Sequence, residues 1–152
     1  MNAASLMSSP VYTARRDTLV TDVVRTMTEQ RVSAVPIVDD QSRVVGVVTV
    51  SDLIPQLRNA PASNVPLLSL GDEYVDFASL GDAYQGFARL AASEVMHDAV
   101  ITVRPEIEVV TVAQIMVEHA LCALPVVRED GVLIGIVTRT DLARLAIDRG
   151  KR

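Results

Sequence analysis

Val20, Val23, Val24 and Met27 fall at i, i+3, i+4 and i+7, which predicts a helix with one buried face. The same spacing returns at Val109, Val112, Ala113 and Met116. Before the first helix, Val11–Arg15 alternates apolar and polar residues, as a short strand does. Asp17 and Thr18 offer N-cap side chains between them. After the helix comes Ala34–Val38, a β-branched run with Pro36 inside. Proline cannot donate to a ladder, so this reads as an edge strand or one with its first residues unpaired. The polar cluster Asp39-Asp40-Gln41-Ser42 turns the chain, and the apolar run Arg43–Thr49 completes a hairpin. Ser51 or Asp52 can then cap a helix running to about Arg58. The second half repeats this order, with a turn at Arg128-Glu129-Asp130-Gly131 and a strand at Val132–Thr138. Thr140 or Asp141 can cap its last helix, to about Arg149. Each half therefore reads strand, helix, strand, strand, helix.

The agreement between halves goes beyond pattern. Residues 7–53 align without a gap on 96–142, 89 positions later, and 16 of the 47 pairs are identical. The chain is an internal duplication, to be read as a paired unit. A half of roughly fifty residues buries too little surface to stand alone. The halves should share a core. The divisions expected are a first motif over 1–58, an insert over 59–94 and a second motif over 95–152.

The stretch 55–94 breaks the repeat. Pro55, Pro61 and Pro66 with Asn59, Ser63 and Asn64 mark a loop. Phe77, Leu80, Tyr84, Phe87 and Ala91 step by 3, 4, 3 and 4, which predicts a helix over about 79–93 despite Gly81 and Gly86.

Composition narrows the function. With aromatics at 3% and no Trp, the core must be aliphatic. The net charge of −5 argues against nucleic acid as the main partner, since that affinity rests on neutralised phosphates. The single cysteine, Cys122, cannot form an intramolecular disulfide and sits in an apolar run, which predicts a buried, inert thiol in a reducing compartment. No run approaches the ~20 apolar residues of a membrane span, and Met1–Pro10 lacks a signal-peptide pattern. The expected location is the cytoplasm.

The phrases Val32-Ser33-Ala34-Val35-Pro36-Ile37-Val38-Asp39 and Gly46-Val47-Val48-Thr49-Val50-Ser51-Asp52-Leu53 are matched in the second half. There they read Leu121-Cys122-Ala123-Leu124-Pro125-Val126-Val127 and Gly135-Ile136-Val137-Thr138-Arg139-Thr140-Asp141-Leu142. The repeated unit resembles a CBS motif (cystathionine beta-synthase type), and the duplicated chain resembles a Bateman module. The resemblance covers about two thirds of the chain and rests on the order and duplication of these phrases. It implies an α+β fold of tandem βαββα repeats packed about a pseudo-twofold axis, here with a helical insert between them. It further implies clefts between the repeats, adenosine nucleotides (AMP, ADP or ATP, with Mg²⁺ accompanying ATP) as ligands, and a homodimer. Most such modules regulate a partner protein and catalyse nothing.

The residues can be read for such a ligand. A purine needs an apolar slot edged by backbone polar groups. Pro36 and Pro125 leave backbone unladdered near Ala34 and Ala123, with Val11, Val35, Val100 and Leu124 as walls and Thr13 and Thr102 beside them. Pattern alone reads these as ordinary core residues; the resemblance makes them a slot. A ribose diol is held best by a carboxylate, and Asp52 and Asp141 stand three residues beyond Thr49 and Thr138, where strand becomes helix. The helix start also offers amides to a phosphate. The simpler alternative is an N-cap and no more. In the family the Asp takes the ribose and the hydroxyl the phosphate. Arg15, Arg16, Arg104 and Arg139 are candidate phosphate cations, because the guanidinium is a planar fork; the alternative for each is a solvated surface charge. Because Val50 replaces Arg139 in the first half, the Thr138–Asp141 site is the expected tighter one.

His97 and His119 have no Cys/His partners at metal-ligand spacing, so no metal site is expected. No P-loop, GxGxxG phrase or nucleophile–base constellation emerges, so no enzyme is expected. The leading reading is a nucleotide-sensing regulator of a partner protein. The alternative is an interaction module with vestigial clefts, using the aromatic insert as its contact surface.

Overall fold

The computed structural model of the protein describes residues 1–53, 86 and 88–150. The first half contains α1 (Ala3–Leu6), α2 (Val20–Gln30), β1 (Ala34–Val38) and β2 (Val44–Thr49). The second contains α3 (Ala92–Val95), α4 (Val109–Glu118), β3 (Ala123–Val127), β4 (Leu133–Thr138) and α5 (Arg139–Gly150). Residues 50–53 are helical, as the start of α5 is. The fold is mixed α and β, with two small antiparallel sheets, β1–β2 and β3–β4. The predicted faces are buried: Val20, Val23 and Met27 on α2, and Val109, Val112 and Met116 on α4.

Neither helix uses a side-chain cap. The N-caps are Leu19 and Glu108, and neither makes a capping hydrogen bond. Thr18 Oγ1 instead accepts from Arg15 N at 2.9 Å. The first amides are met by backbone from elsewhere: Val20 N donates to Leu90 O (2.9 Å) and Val109 N to Met1 O (3.2 Å). A chain segment that supplies carbonyls removes the need for a capping side chain.

The expected strands Val11–Arg15 and its counterpart shrink to single parallel bridges, Ala14 with Ile37 and Val103 with Val126. Proline is the reason. Ala14 N donates to Pro36 O (3.1 Å) and Val38 N donates to Ala14 O (2.9 Å). The next rung needs a donor at the Pro36 nitrogen, which has none. Toward β2 the proline costs nothing, because Pro36 faces Val47, whose own N–H and C=O both turn away to His97. Pro125 repeats the arrangement with Val103 N, at 3.0 Å. Proline thus lies within a paired strand rather than on a bare edge.

The two halves exchange their lead-in segments. Ser8 bridges Ile136, and His97 bridges Val47. Asn2 bridges Glu108, and Leu19 bridges Ala91. In each pair of bridges, moving the first-half residue forward by 89 and the second-half residue back by 89 turns one into the other. The Arg43–Val132 bridge joins positions that are themselves 89 apart, so it lies on the pseudo-twofold axis. Ala3, Leu6 and Met7 pack into the second half's core with Val112, Met116 and Leu124. Ala92, Val95 and Met96 pack into the first half's core with Val23, Val35 and Val48. A third cluster of Ala34, Val47, Ala123 and Ile136, flanked by Val11, Val100 and Cys122, joins the two sheets.

Gly46 and Gly135 allow the crossing. A Cβ at Gly135 would stand 2.2 Å from Met7 Sδ, and one at Gly46 would stand 2.3 Å from Met96 Sδ. The turns differ in chemistry. Ser42 (φ 60) takes the left-handed position that Gly131 (φ 82) takes in the other copy. Asp39 is not merely solvated. Its Oδ1 accepts from Gln41 N and Arg43 N, both at 2.9 Å, and the Arg43 backbone bond chiefly holds its carboxyl below the ordinary 3.8.

The helix expected over 79–93 does not reach that end. Residues 88–91 turn and then extend into the Ala91 bridge before α3 begins. Most of that stretch, and of the 55–94 insert with Tyr84 and Phe87, lies outside the described residues, as does the end of the helix placed at Arg58. Among the described residues no helix is long and apolar enough to cross a membrane.

Candidate functional site

Thr138 and Asp141 form a capping box at the start of α5, which makes Thr138 the cap rather than Thr140 or Asp141. Asp141 Oδ2 accepts from Thr138 N (2.8 Å) and Thr138 Oγ1 (2.7 Å), and Asp141 N donates to Thr138 Oγ1 at 3.4 Å. The first half repeats the clamp, with Asp52 Oδ2 accepting from Thr49 N (2.7 Å) and Thr49 Oγ1 (3.0 Å). Each threonine has one hydroxyl proton, and here the aspartate holds it. The hydroxyl then offers a ligand only its lone pairs.

The helix start is also less open than an anion site requires. Arg139 N donates to Cys122 O (3.0 Å), so with Thr138 N and Asp141 N three of the four initial amides of α5 are already paired. The expectation of free amides for a phosphate is corrected accordingly. Any phosphate at this helix must rely on side chains.

The second carboxylate oxygens differ between the copies. Asp52 Oδ1 is paired with His97 Nε2, burying the Asp52 side chain to 6% exposure while that of His97 stays 73% exposed. Asp141 Oδ1 has Arg144 Nη1 at 3.9 Å, beyond hydrogen-bond reach.

A cleft of about 440 Å³ lies between the halves, within the size range of small-molecule sites. Val47, Thr49 and Ser51 form its first-half wall. His97–Ile101, His119–Ala123, Pro125 and Arg139 form the opposite side. Asp52 does not line it, but both of its hydrogen-bonding partners, Thr49 and His97, do. Arg139 faces this cleft, together with Thr49, and not one built on Asp141. Its Nε donates to Leu121 O at 2.7 Å, and neither Nη is hydrogen-bonded among the described residues. The expectation that Arg139 favours the Thr138–Asp141 site therefore fails. A residue at the start of α5 thus lines the same cleft as Thr49 of the first half.

The slot candidates divide by strand alternation. Ala123 and Pro125 face the cleft with Val100, whereas Leu124, on the opposite face of β3, is fully buried in the second half's core. Val35 is likewise fully buried in the first core. Neither Val35 nor Leu124 is a slot wall. Val11 and Thr13 line a second hollow of about 490 Å³ with Ser9, Pro10, Val38, Ser42, Leu133 and Ile134, which carries no charged side chain. Ala34 packs at the sheet junction and, with Pro36, lines neither hollow; both prolines, Pro36 and Pro125, have fully buried side chains. Thr102 is exposed and lines neither hollow.

The remaining arginines stand apart. Arg15 pairs with Asp40 on the surface at 2.7 Å. Arg16 and Arg104 are exposed and line neither hollow.

Most of the cleft wall lies outside the sequence candidates, and three of those residues carry reactive side chains, His97, His119 and Cys122. The sequence offers the two histidines only as metal ligands. Cys122, expected to be buried and inert, is half-buried and lines the cleft. The signal for His97 lay in the repeat alignment, where its counterpart is Ser8. Among the described residues no group of three His, Cys, Asp or Glu side chains could hold a metal ion.

Comparison with known proteins gives a consistent result. The family model for the CBS domain matches residues 3–59 and again 92–148. An uncharacterized protein of Methanocaldococcus jannaschii, MJ1426, is 26% identical over 150 residues, spanning 93% of this chain and 89% of that protein. The chloroplastic CBS domain-containing protein CBSX2 of Arabidopsis thaliana is 26% identical over 140 residues, 90% of this chain and 59% of that protein. A crystal structure of CBSX2 in complex with AMP superimposes with a TM-score of 0.74 at 26% identity, covering 97% of both chains. The CBS domain of a membrane protein from Sphaerobacter thermophilus is 31% identical with a TM-score of 0.73, covering 95% of this chain and 87% of that one.

Proposed function

The chain belongs to the CBS domain family, in which it carries two copies of the motif, and on that premise we propose that it is a regulatory module. Its ligand is an adenosine nucleotide (AMP, ADP or ATP) held between the copies, and its output is the modulation of a partner protein. The observation that carries this reading is the cleft formed by Thr49, His97 and Arg139, with the Asp52 carboxylate one hydrogen bond behind its wall. The AMP complex of CBSX2 supports the ligand class.

Val47, Val100, Ala123 and Pro125 give the adenine an apolar slot. The ladder stops at Pro125, which leaves backbone polar groups at Ile101 unclaimed by a rung, available to the purine edge. Asp52 accepts from the ribose diol through Oδ1. Arg139 supplies the phosphate with Nη donors, and His119 adds an imidazole on the same wall. By pseudo-symmetry Thr138 and Asp141 serve the counterpart site, where Val11 stands in the place of Val100. Any Mg²⁺ would arrive on the phosphates of ATP. The module acts in the cytoplasm as a homodimer and performs no catalysis.

Cys122 provides a direct readout, because it lines the cleft and is the only cysteine. With AMP at a hundred times its dissociation constant, alkylation of Cys122 slows on the order of 100-fold, since only the empty fraction reacts. An unchanged alkylation rate under AMP, ADP and ATP at millimolar concentration would rule the cleft out as the nucleotide site.

A further inference from the structure

We infer that His97 governs nucleotide affinity in the Thr49–Asp52 cleft by occupying the carboxylate oxygen that a ribose needs, a restraint that Ser8 does not place on Asp141. The inference rests on the nucleotide reading above.

Asp52 has two oxygens to give. Oδ2 is committed to Thr49 N and Thr49 Oγ1, which fix the start of the helix. Only Oδ1 remains for a diol, and His97 Nε2 holds it. The imidazole is carried there by the exchanged lead-in segment, since His97 N and O each bond Val47 at 3.0 Å. Oδ1 can accept two protons, so a ribose must displace the imidazole before both of its hydroxyls can bind.

The other copy places Ser8 by the same device. Ser8 N donates to Ile136 O (2.9 Å) and Ile136 N donates to Ser8 O (3.1 Å). Serine has no imidazole to extend over Asp141, and no hydrogen bond to Asp141 Oδ1 occurs among the described residues. The duplication has thus kept both aspartates and changed the residue that covers one of them. Because the His97 side chain is mostly exposed, it can swing outward without leaving the fold.

The test is calorimetric titration of the full chain with AMP in two backgrounds. Asp141→Asn isolates the first cleft and Asp52→Asn the second. Asparagine can keep the Thr contact of the capping box but is a poor acceptor for a diol. In the Asp141→Asn background, His97→Ser tightens AMP binding about 3- to 10-fold, the worth of one net hydrogen bond. In the Asp52→Asn background the same change has no effect, while Ser8→His weakens AMP binding by a similar factor. Weaker or unchanged AMP affinity on adding His97→Ser to Asp141→Asn, with the parent binding AMP, overturns the role of His97 and leaves the nucleotide reading standing. Absence of AMP binding to the wild-type chain removes both.

Discussion

Replacing Ala3 by Asp destabilises the protein by on the order of 4 kcal/mol, and the damage falls on the second repeat. Ala3 is fully buried in a cluster whose other buried members, among them Val103, Val112, Met116, Leu124 and Val137, are all a hundred or more positions away. Its amide is already committed to Ile107 O at 2.8 Å. A carboxylate there would meet only apolar side chains, and an unpaired buried charge is among the costliest single changes. The exchange of lead-in segments is what makes the third residue a core residue of the far repeat. Urea unfolding measures the loss, and faster alkylation of Cys122 locates it in the second half. A stability within 1 kcal/mol of wild type would mean that the lead-in does not cross.

Gly135→Ala costs about 1–3 kcal/mol by overpacking. The new methyl would overlap Met7 Sδ (2.2 Å), Cγ (2.7 Å) and Cβ (3.0 Å). The sulfur end can rotate, but the Cβ is fixed by backbone that Ser8 anchors to Ile136. The cost therefore depends on one partner. Adding Met7→Ala should recover part of it, so the two changes couple favourably in a double-mutant cycle. Simple additivity would place the cause elsewhere, in the strand itself.

Much of the fold was legible because the duplication displays each local signal twice. Helical spacing at Val20 and Val109 located the buried faces, and the hairpins followed from turn residues between β-branched runs. The exchange of Met7 and Met96 between halves was not legible. Periodicity says which face of a residue is buried, not which core it enters. The cap of α2 was not legible for the same reason, because Leu90 O meets the first amide for which Asp17 and Thr18 are the sequence candidates. At the site, Thr-x-x-Asp was read as a ligand phrase or a cap. The structure makes it a capping box that leaves one carboxylate oxygen over. Pattern alone reads Val35 and Leu124 as core residues, which they are; only the resemblance made them slot walls. Sequence spacing places Arg139 with its own repeat's Thr138–Asp141 phrase, whereas it lines the cleft that holds the other repeat's Thr49. His97 could have been found by asking where two otherwise matched phrases differ in chemistry.

The central claim is that the cleft between the repeats holds an adenosine nucleotide through a Thr-x-x-Asp aspartate. Crystals of the full chain grown with AMP test it most directly. The account predicts adenine against Val100 and Ala123 or against Val11, with ribose hydroxyls on Oδ1 of Asp52 or Asp141. Nucleotide bound away from both aspartates, or none at millimolar AMP, would contradict it.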